Sequence, residues 1–232
     1  MGLALLIIFM FVAYGLTTLF RRWIDIPTLL AVAIGCAVNA NIFNPYTAPI
    51  VVGPFTFSIE IVLYTLFMYT IIVRILDYSY SDAKRMTFTS IAAILISAFI
   101  ELVALLMTQS DVLATFKSFA IYLFSSIGTI VGVWIMVLIT IQCRKKNISS
   151  YLIIPFAIVP ASIIHALFLY GGMLAVYQNS GIFDLIYGAL GTIIGKSVCI
   201  LLSIFCYFIN KKWWRPLNLV AQEEKNADNE SN

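Results

Sequence analysis

The stretch from Ile182 to Ile209 is an almost unbroken apolar run with a single lysine, Lys196, at its middle. At about 1.5 Å per residue, such a helix crosses a hydrocarbon layer of roughly 30 Å and sets Lys196 near the midplane. A cation at that depth costs about 3 kcal/mol on insertion scales, so it faces a protein interior or a wet cavity. At helical spacing, Gly188, Thr192, Lys196, Cys199, Ser203 and Tyr207 fall on one small and polar stripe. Leu, Ile, Val and Phe fill most of the other faces, so the helix turns a polar edge toward its neighbours. The rest of the chain has to supply what the lysine meets.

Of the 232 residues, 62% are hydrophobic and 11% are charged. A globular chain has about 45–50% apolar residues, and here apolar runs of about 20 residues recur. The fold class expected is all-α: a polytopic integral membrane helical bundle of about seven transmembrane helices. A β-barrel would instead show alternating segments of about ten residues. The net charge of +3 does not indicate nucleic acid, because the basic residues gather at helix ends rather than on one face. Cys36, Cys143, Cys199 and Cys206 fall within or at the ends of expected helices. They form no disulfide framework and no metal-ligand spacing, so neither a metal nor a cofactor is expected.

The spans read as residues 3–19, 27–43, 55–75, 88–107, 119–141, 151–176 and 182–209. Residues 1–212 make up the bundle, and 213–232 form a polar tail expected to be disordered. Nothing basic precedes Leu3, and Arg21-Arg22 follow Leu19, so the first span reads as a retained helix rather than a cleaved signal. The uncharged loop up to Pro54 contains Pro45 and Pro49 and is expected to be extended or partly re-entrant. Gly128-x-x-x-Gly132 has the spacing that lets two helix backbones approach closely. Pro155 and Pro160 lie on the cytoplasmic side of His165 and are expected to break that helix into two halves. Arg and Lys follow the first, third, fifth and seventh spans; the connections from the second to the third and from the sixth to the seventh have none, and the one after the fourth has only Lys117. The positive-inside rule therefore puts the amino end outside and the carboxyl tail in the cytoplasm.

Glu60, Glu101, His165 and Lys196 are the ionisable groups inside the spans. Glu60 is expected a turn or two below the outer surface. Glu101 and His165 fall between that surface and the midplane, where Lys196 sits. Each has a structural reading: an interfacial acid, a buried ion pair between Lys196 and Glu101, a hydrogen-bonded core histidine near Ser162. Several such groups at similar depth are costly unless they share a site. Glu101 is the expected partner of Lys196 because their depths match most closely. Asp184 reads as a solvated helix-start acid. Tyr64, Phe67 and Tyr170 offer rings for stacking on a planar ligand. No nucleophile elbow, paired-histidine metal motif or P-loop is present, so enzyme chemistry is not indicated.

Val73-Arg74-Ile75 followed by Ala83-Lys84-Arg85 resembles the segment after a central helix in the vitamin-uptake family of bacterial queuosine-precursor transporters. The basic turn Arg144 to Lys146 before a proline-containing helix is similar to that family's later pattern. So is a final helix with an internal lysine, here Gly195-Lys196-Ser197. Asn39 sits where the family has an asparagine ending an early helix. The likeness covers Pro27 to Lys212, with the first helix as an addition. The six-helix substrate-capture subunits of energy-coupling vitamin importers are an equally close comparison.

The expectation is therefore an uptake protein of the bacterial cytoplasmic (inner) membrane for a small polar or aromatic nutrient, such as a nucleobase-like precursor or a vitamin. Its solute would be lined by Glu60, Glu101, His165, Lys196, Tyr64 and Asn39. The partners expected are membrane lipid, the solute, and a membrane subunit or a second copy of the chain. Two alternatives stand beside it: a non-transporting subunit that docks a partner within a membrane complex, and a lipid-modifying membrane enzyme.

Overall fold

Away from water, backbone N–H and C=O groups must find partners within their own segment, and the long apolar runs of this chain form helices for that reason. The computed structural model describes residues 2–20, 35, 50–57, 60–77, 80–108, 112–177 and 181–212. Among the described residues the helices are α1 (Gly2–Phe20), α2 (Glu60–Asp77), α3 (Tyr80–Thr108), α4 (Val112–Lys145), α5 (Ser150–Val176) and α6 (Ile182–Lys212). A hairpin of β1 (Ile50–Val52) and β2 (Phe55–Phe57) precedes α2. Stretches 115–145, 150–176 and 185–212 of α4, α5 and α6 are long and apolar enough to cross a membrane. Shorter apolar stretches lie in α1 (Ala4–Leu16) and α3 (Thr87–Ile100). The expected second span, apart from the helical Gly35, and the tail 213–232 fall outside the described residues.

The centre of the bundle is α2. Every residue from Glu60 to Ile75 is buried, and α2 packs against α3, α4, α5 and α6. A helix apolar all round belongs in such a place. Its threonines are satisfied locally: Thr65 Oγ1 donates to the Ile61 carbonyl at 2.7 Å, and Thr70 Oγ1 to the Phe67 carbonyl at 2.8 Å. At its carboxyl end, the Arg144 guanidinium donates to the Ile75 carbonyl, filling an acceptor that the helix itself leaves open.

Several expected boundaries are corrected. The span expected to begin at Phe55 begins at Glu60, because Phe55–Phe57 is a strand. β1 and β2 pair antiparallel, with Ile50 opposite Phe57 and Val52 opposite Phe55. Gly53, at φ +59°, takes the first position of the two-residue turn. That matches a type II′ turn, and Pro54 fits the second position. The loop expected to be extended or re-entrant is extended over β1. The helix expected over 88–107 runs from Tyr80 to Thr108, and the one over 119–141 runs from Val112 to Lys145. The polar residues Lys84 and Arg85, taken as a connection, lie on an exposed helical turn instead.

α4 and α5 make the most extensive contact in the bundle. Their link is short. The Ile148 N–H donates to the Cys143 carbonyl and the Asn147 N–H to the Arg144 carbonyl, both at 3.0 Å. With Asn147 at φ 53°, this is a Schellman ending that turns the chain straight into α5. The two helices then meet through small residues. A Cβ on Gly132 would stand 2.9 Å from the Ala161 carbonyl oxygen, and one on Gly128 would stand 2.6 Å from Phe168 Cβ. The close approach expected of Gly128-x-x-x-Gly132 is thus made against α5. The break expected at Pro155 and Pro160 is absent, since α5 is one continuous helix across both. Each proline costs one bond to the residue four before it, Tyr151 or Phe156, and neighbouring helices supply the remaining support.

Candidate functional site

The polar stripe on α6 is turned inward: Gly188, Thr192, Lys196, Cys199, Ser203 and Tyr207 are all buried. Its lower half meets α1. Cys199 Sγ lies 3.4 Å from Met10 Sδ, and Ser203 Oγ lies 3.1 Å from the Tyr14 hydroxyl. Met10, Tyr14 and Thr18 recur every four residues on the buried face of α1, as the helical period requires. Its upper half meets the hairpin and α5. Phe55 stacks edge-on against Tyr187 with centroids 6.3 Å apart, and Phe57 lies against Gly195. The Tyr170 hydroxyl is 2.9 Å from Thr192 Oγ1.

This placement of the hairpin decides where the acid falls. β2 runs beside α6 from Tyr187 toward Gly195, so α2 starts alongside Lys196. Glu60, the first residue of α2, is carried with it.

At that level three elements converge on His165 of α5. Lys196 Nζ of α6 lies 2.9 Å from His165 Nδ1. On the other edge of the ring, Ser125 Oγ of α4 lies 3.1 Å from Nε2, and Glu60 Oε1 of α2 lies 3.7 Å from the same nitrogen. Tyr64, one turn beyond Glu60, sets its ring 5.1 Å from the imidazole centroid, with Lys196 Nζ 6.0 Å from its own centroid. Its hydroxyl faces Ser125 and Thr129. The relative exposures are 5% for Glu60, 1% for Tyr64 and Lys196, 3% for Ser125 and 0% for His165. The cluster is therefore closed to solvent in this arrangement.

Lys196 therefore meets a histidine with a carboxylate beyond it. Glu101 is on α3, which packs on α2 and α4, and its side chain falls outside the described residues, as does Asn39. Tyr64 is at the cluster. Phe67 is fully buried in the apolar core, while Tyr170 holds Thr192 a turn above Lys196. Asp184 belongs to the first turn of α6, and its side chain is not described. Ser162, expected near His165, is buried, and its hydroxyl has no hydrogen-bond partner among the described residues. Sequence reasoning missed Ser125 and Thr129; the available signal was a pair of hydroxyls four residues apart within an apolar span.

The chemistry open to this set follows from its donors and acceptors. An ammonium donates only, a carboxylate accepts only, and a neutral imidazole does one at each nitrogen. The Lys196 and Glu60 charges are separated by the ring. At roughly 7 Å and an effective dielectric of about 20, their attraction is about 2–3 kcal/mol. Removing each ion from water costs several kcal/mol. The cluster is thus an expense for the fold, with no net gain in stability to account for it. Among the described residues no group of His, Cys, Asp and Glu could hold a metal ion. An apolar groove of about 260 Å³, lined by Ile163, Leu167, Tyr170, Ile186 and Ile193 among others, runs along the outer seam between α5 and α6. No protein-family model, curated protein or solved structure matches this chain.

Proposed function

We propose that this chain is an uptake protein of a bacterial cytoplasmic membrane, taking in a small polar or planar aromatic nutrient through a site built on Glu60, Tyr64, His165 and Lys196. One observation carries the reading: a carboxylate, an imidazole and an amine from three separate helices meet inside an apolar bundle. Ionisable groups at membrane depth are expensive, and in membrane proteins they mark solute or proton paths. The hairpin supports the same reading. Strand backbone is tolerated at membrane depth only where it is covered by protein or lines a watery cavity. Val51 and Val52 of β1 are exposed, so a wet outer mouth beside the hairpin would accommodate them. Because the polar groups touch one another, a solute takes the place of one of them, parting Lys196 or Ser125 from His165. A planar heterocycle, with donors and acceptors on its edge and a face for Tyr64, suits these partners. The resemblance to queuosine-precursor transporters and vitamin-capture subunits points to the same solute class, with Glu101 and Asn39 as further contacts.

The rival, a non-transporting subunit, would present polar helix faces to its partner. Here the polar edge of α6 is spent inward on α1, α2 and α5, and the outward faces carry Leu, Ile and Phe. Mass spectrometry of small molecules released from the purified protein tests the choice. Wild type is expected to carry a solute that His165→Gln retains several-fold less of, at equal folded yield. Stoichiometric co-purification of another chain with no solute would favour the rival.

The orientation proposed is seven spans, with the amino end and the loop near Asn44 outside and Lys145 inside, as the placement of Arg and Lys directs. In intact cells a cysteine at position 44 should react with an impermeant thiol reagent, and one at 145 should not. Labelling of position 145 from outside would reverse the topology.

A further inference from the structure

His165 touches a potential proton donor at one ring nitrogen and potential acceptors at the other. We propose that it is a proton-transferring bridge between Lys196 and Glu60, which discharges and restores the two charges as the site closes and opens. The proposal deepens the uptake reading, and the bridge's part in transport rests on it. The groups facing the ring are Glu60 and Tyr64 from α2, Ser125 from α4 and Lys196 from α6; Thr129 lies beside the Tyr64 hydroxyl, and Cys199 a turn beyond Lys196.

The step balances within the cluster. In one arrangement Lys196 is an ammonium that donates to Nδ1, and the proton on Nε2 points to Ser125 and the Glu60 carboxylate. When the Lys196 N–H bond breaks, an N–H bond forms at Nδ1; the Nε2–H bond breaks, and an O–H bond forms on Glu60. The products are a neutral amine, the opposite ring tautomer and a neutral carboxylic acid. No outside reactant is required, and the net charge is unchanged. The heavy atoms already stand at 2.9 Å on the Lys196 side, and the 3.7 Å gap to Glu60 needs only a small side-chain movement to reach hydrogen-bond length. A wet site favours the ionised arrangement and a dry one the neutral arrangement, because burial penalises separated charges. Closing the site over a solute, or over nothing, would thus discharge the pair, and opening it would recharge the pair. An empty carrier would not have to turn over with two bare ions inside it.

The sequence contains one histidine, so growth on ring-15N histidine labels this residue alone. Solid-state NMR of the full chain in lipid bilayers at neutral pH then reads the protonation of each nitrogen directly. Both neutral tautomers are expected in exchange. Glu60→Gln, which keeps the size but cannot take the proton, should collapse the signal to one tautomer. Ser125→Ala, which removes the competing hydroxyl at Nε2, should leave the exchange in place. A single tautomer in wild type, or a doubly protonated ring, overturns the proposal, and this measurement needs no variant to fold. Tautomer exchange in a chain that carries no solute would keep the bridge and sink the uptake reading. Solute uptake with a frozen ring would sink the bridge alone.

Discussion

Lys196→Met is expected to lower the unfolding free energy by about 3–5 kcal/mol, and the double variant Lys196→Met with Glu60→Gln by much less. The single change leaves a carboxylate 5% exposed with its balancing cation gone, and leaves Nδ1 of His165 without its 2.9 Å neighbour. The second change removes the uncompensated charge and leaves an amide that His165 and Ser125 can still bond. The measurement is a double-mutant cycle from denaturant unfolding of the purified protein in mixed micelles. Strict additivity of the two losses would show that these groups do not interact across the imidazole. The same cycle run with Glu101→Gln separates the two acids, since only a carboxylate coupled to Lys196 gives a non-additive result.

Gly132→Val is expected to cost about 3 kcal/mol or to block assembly of the α4–α5 pair. A Cβ there would stand 2.9 Å from a backbone oxygen, Ala161 O, and a branched side chain adds two methyl groups to the conflict. Backbone cannot rotate aside as a side-chain tip can, so the helices must separate. Gly171→Ala serves as the control: nothing lies within 4 Å of a Cβ at that position. An alanine in a helix interior is favoured over glycine by roughly 0.5–1 kcal/mol, so this variant should be neutral or slightly stabilised. Equal losses at the two positions would mean that close helix approach is not what Gly132 provides.

The polar edge of α6 was legible because polar residues at helical spacing stand out in an apolar run. Glu60, His165 and Lys196 were legible for the same reason, as ionisable groups where none is expected. Their mutual arrangement was not. It depends on five residues, Phe55 to Ile59, of which the first three form a strand rather than the start of a helix. That difference makes Glu60 the first residue of α2 and sets it beside His165. Nor could the sequence mark α2 as the central helix. In lipid, an apolar face directed at acyl chains and one directed at other helices have the same composition, so periodicity loses its contrast. Ser125 was hidden differently. A serine in a membrane helix commonly bonds its own backbone, and its meeting with His165 follows from Gly128, whose missing side chain lets α4 come down onto α5.

The close fit of α4 on α5 also says where this molecule can come apart. Gly128, Gly132 and Gly172 lock those two helices together, and Ser125 and His165 ride on the locked pair. Lys196 rides on α6, whose contact with α5 is less extensive and carries an apolar groove along its outer edge. The two nitrogens of one imidazole therefore answer to different halves of the machine: Nε2 to the half that stays together, Nδ1 to the half that can leave. The parting line crosses two side-chain contacts, Lys196 to His165 and Tyr170 to Thr192. Under the proposed uptake role, a solute that enters there is gripped from both banks, and releasing it means choosing which bank lets go first.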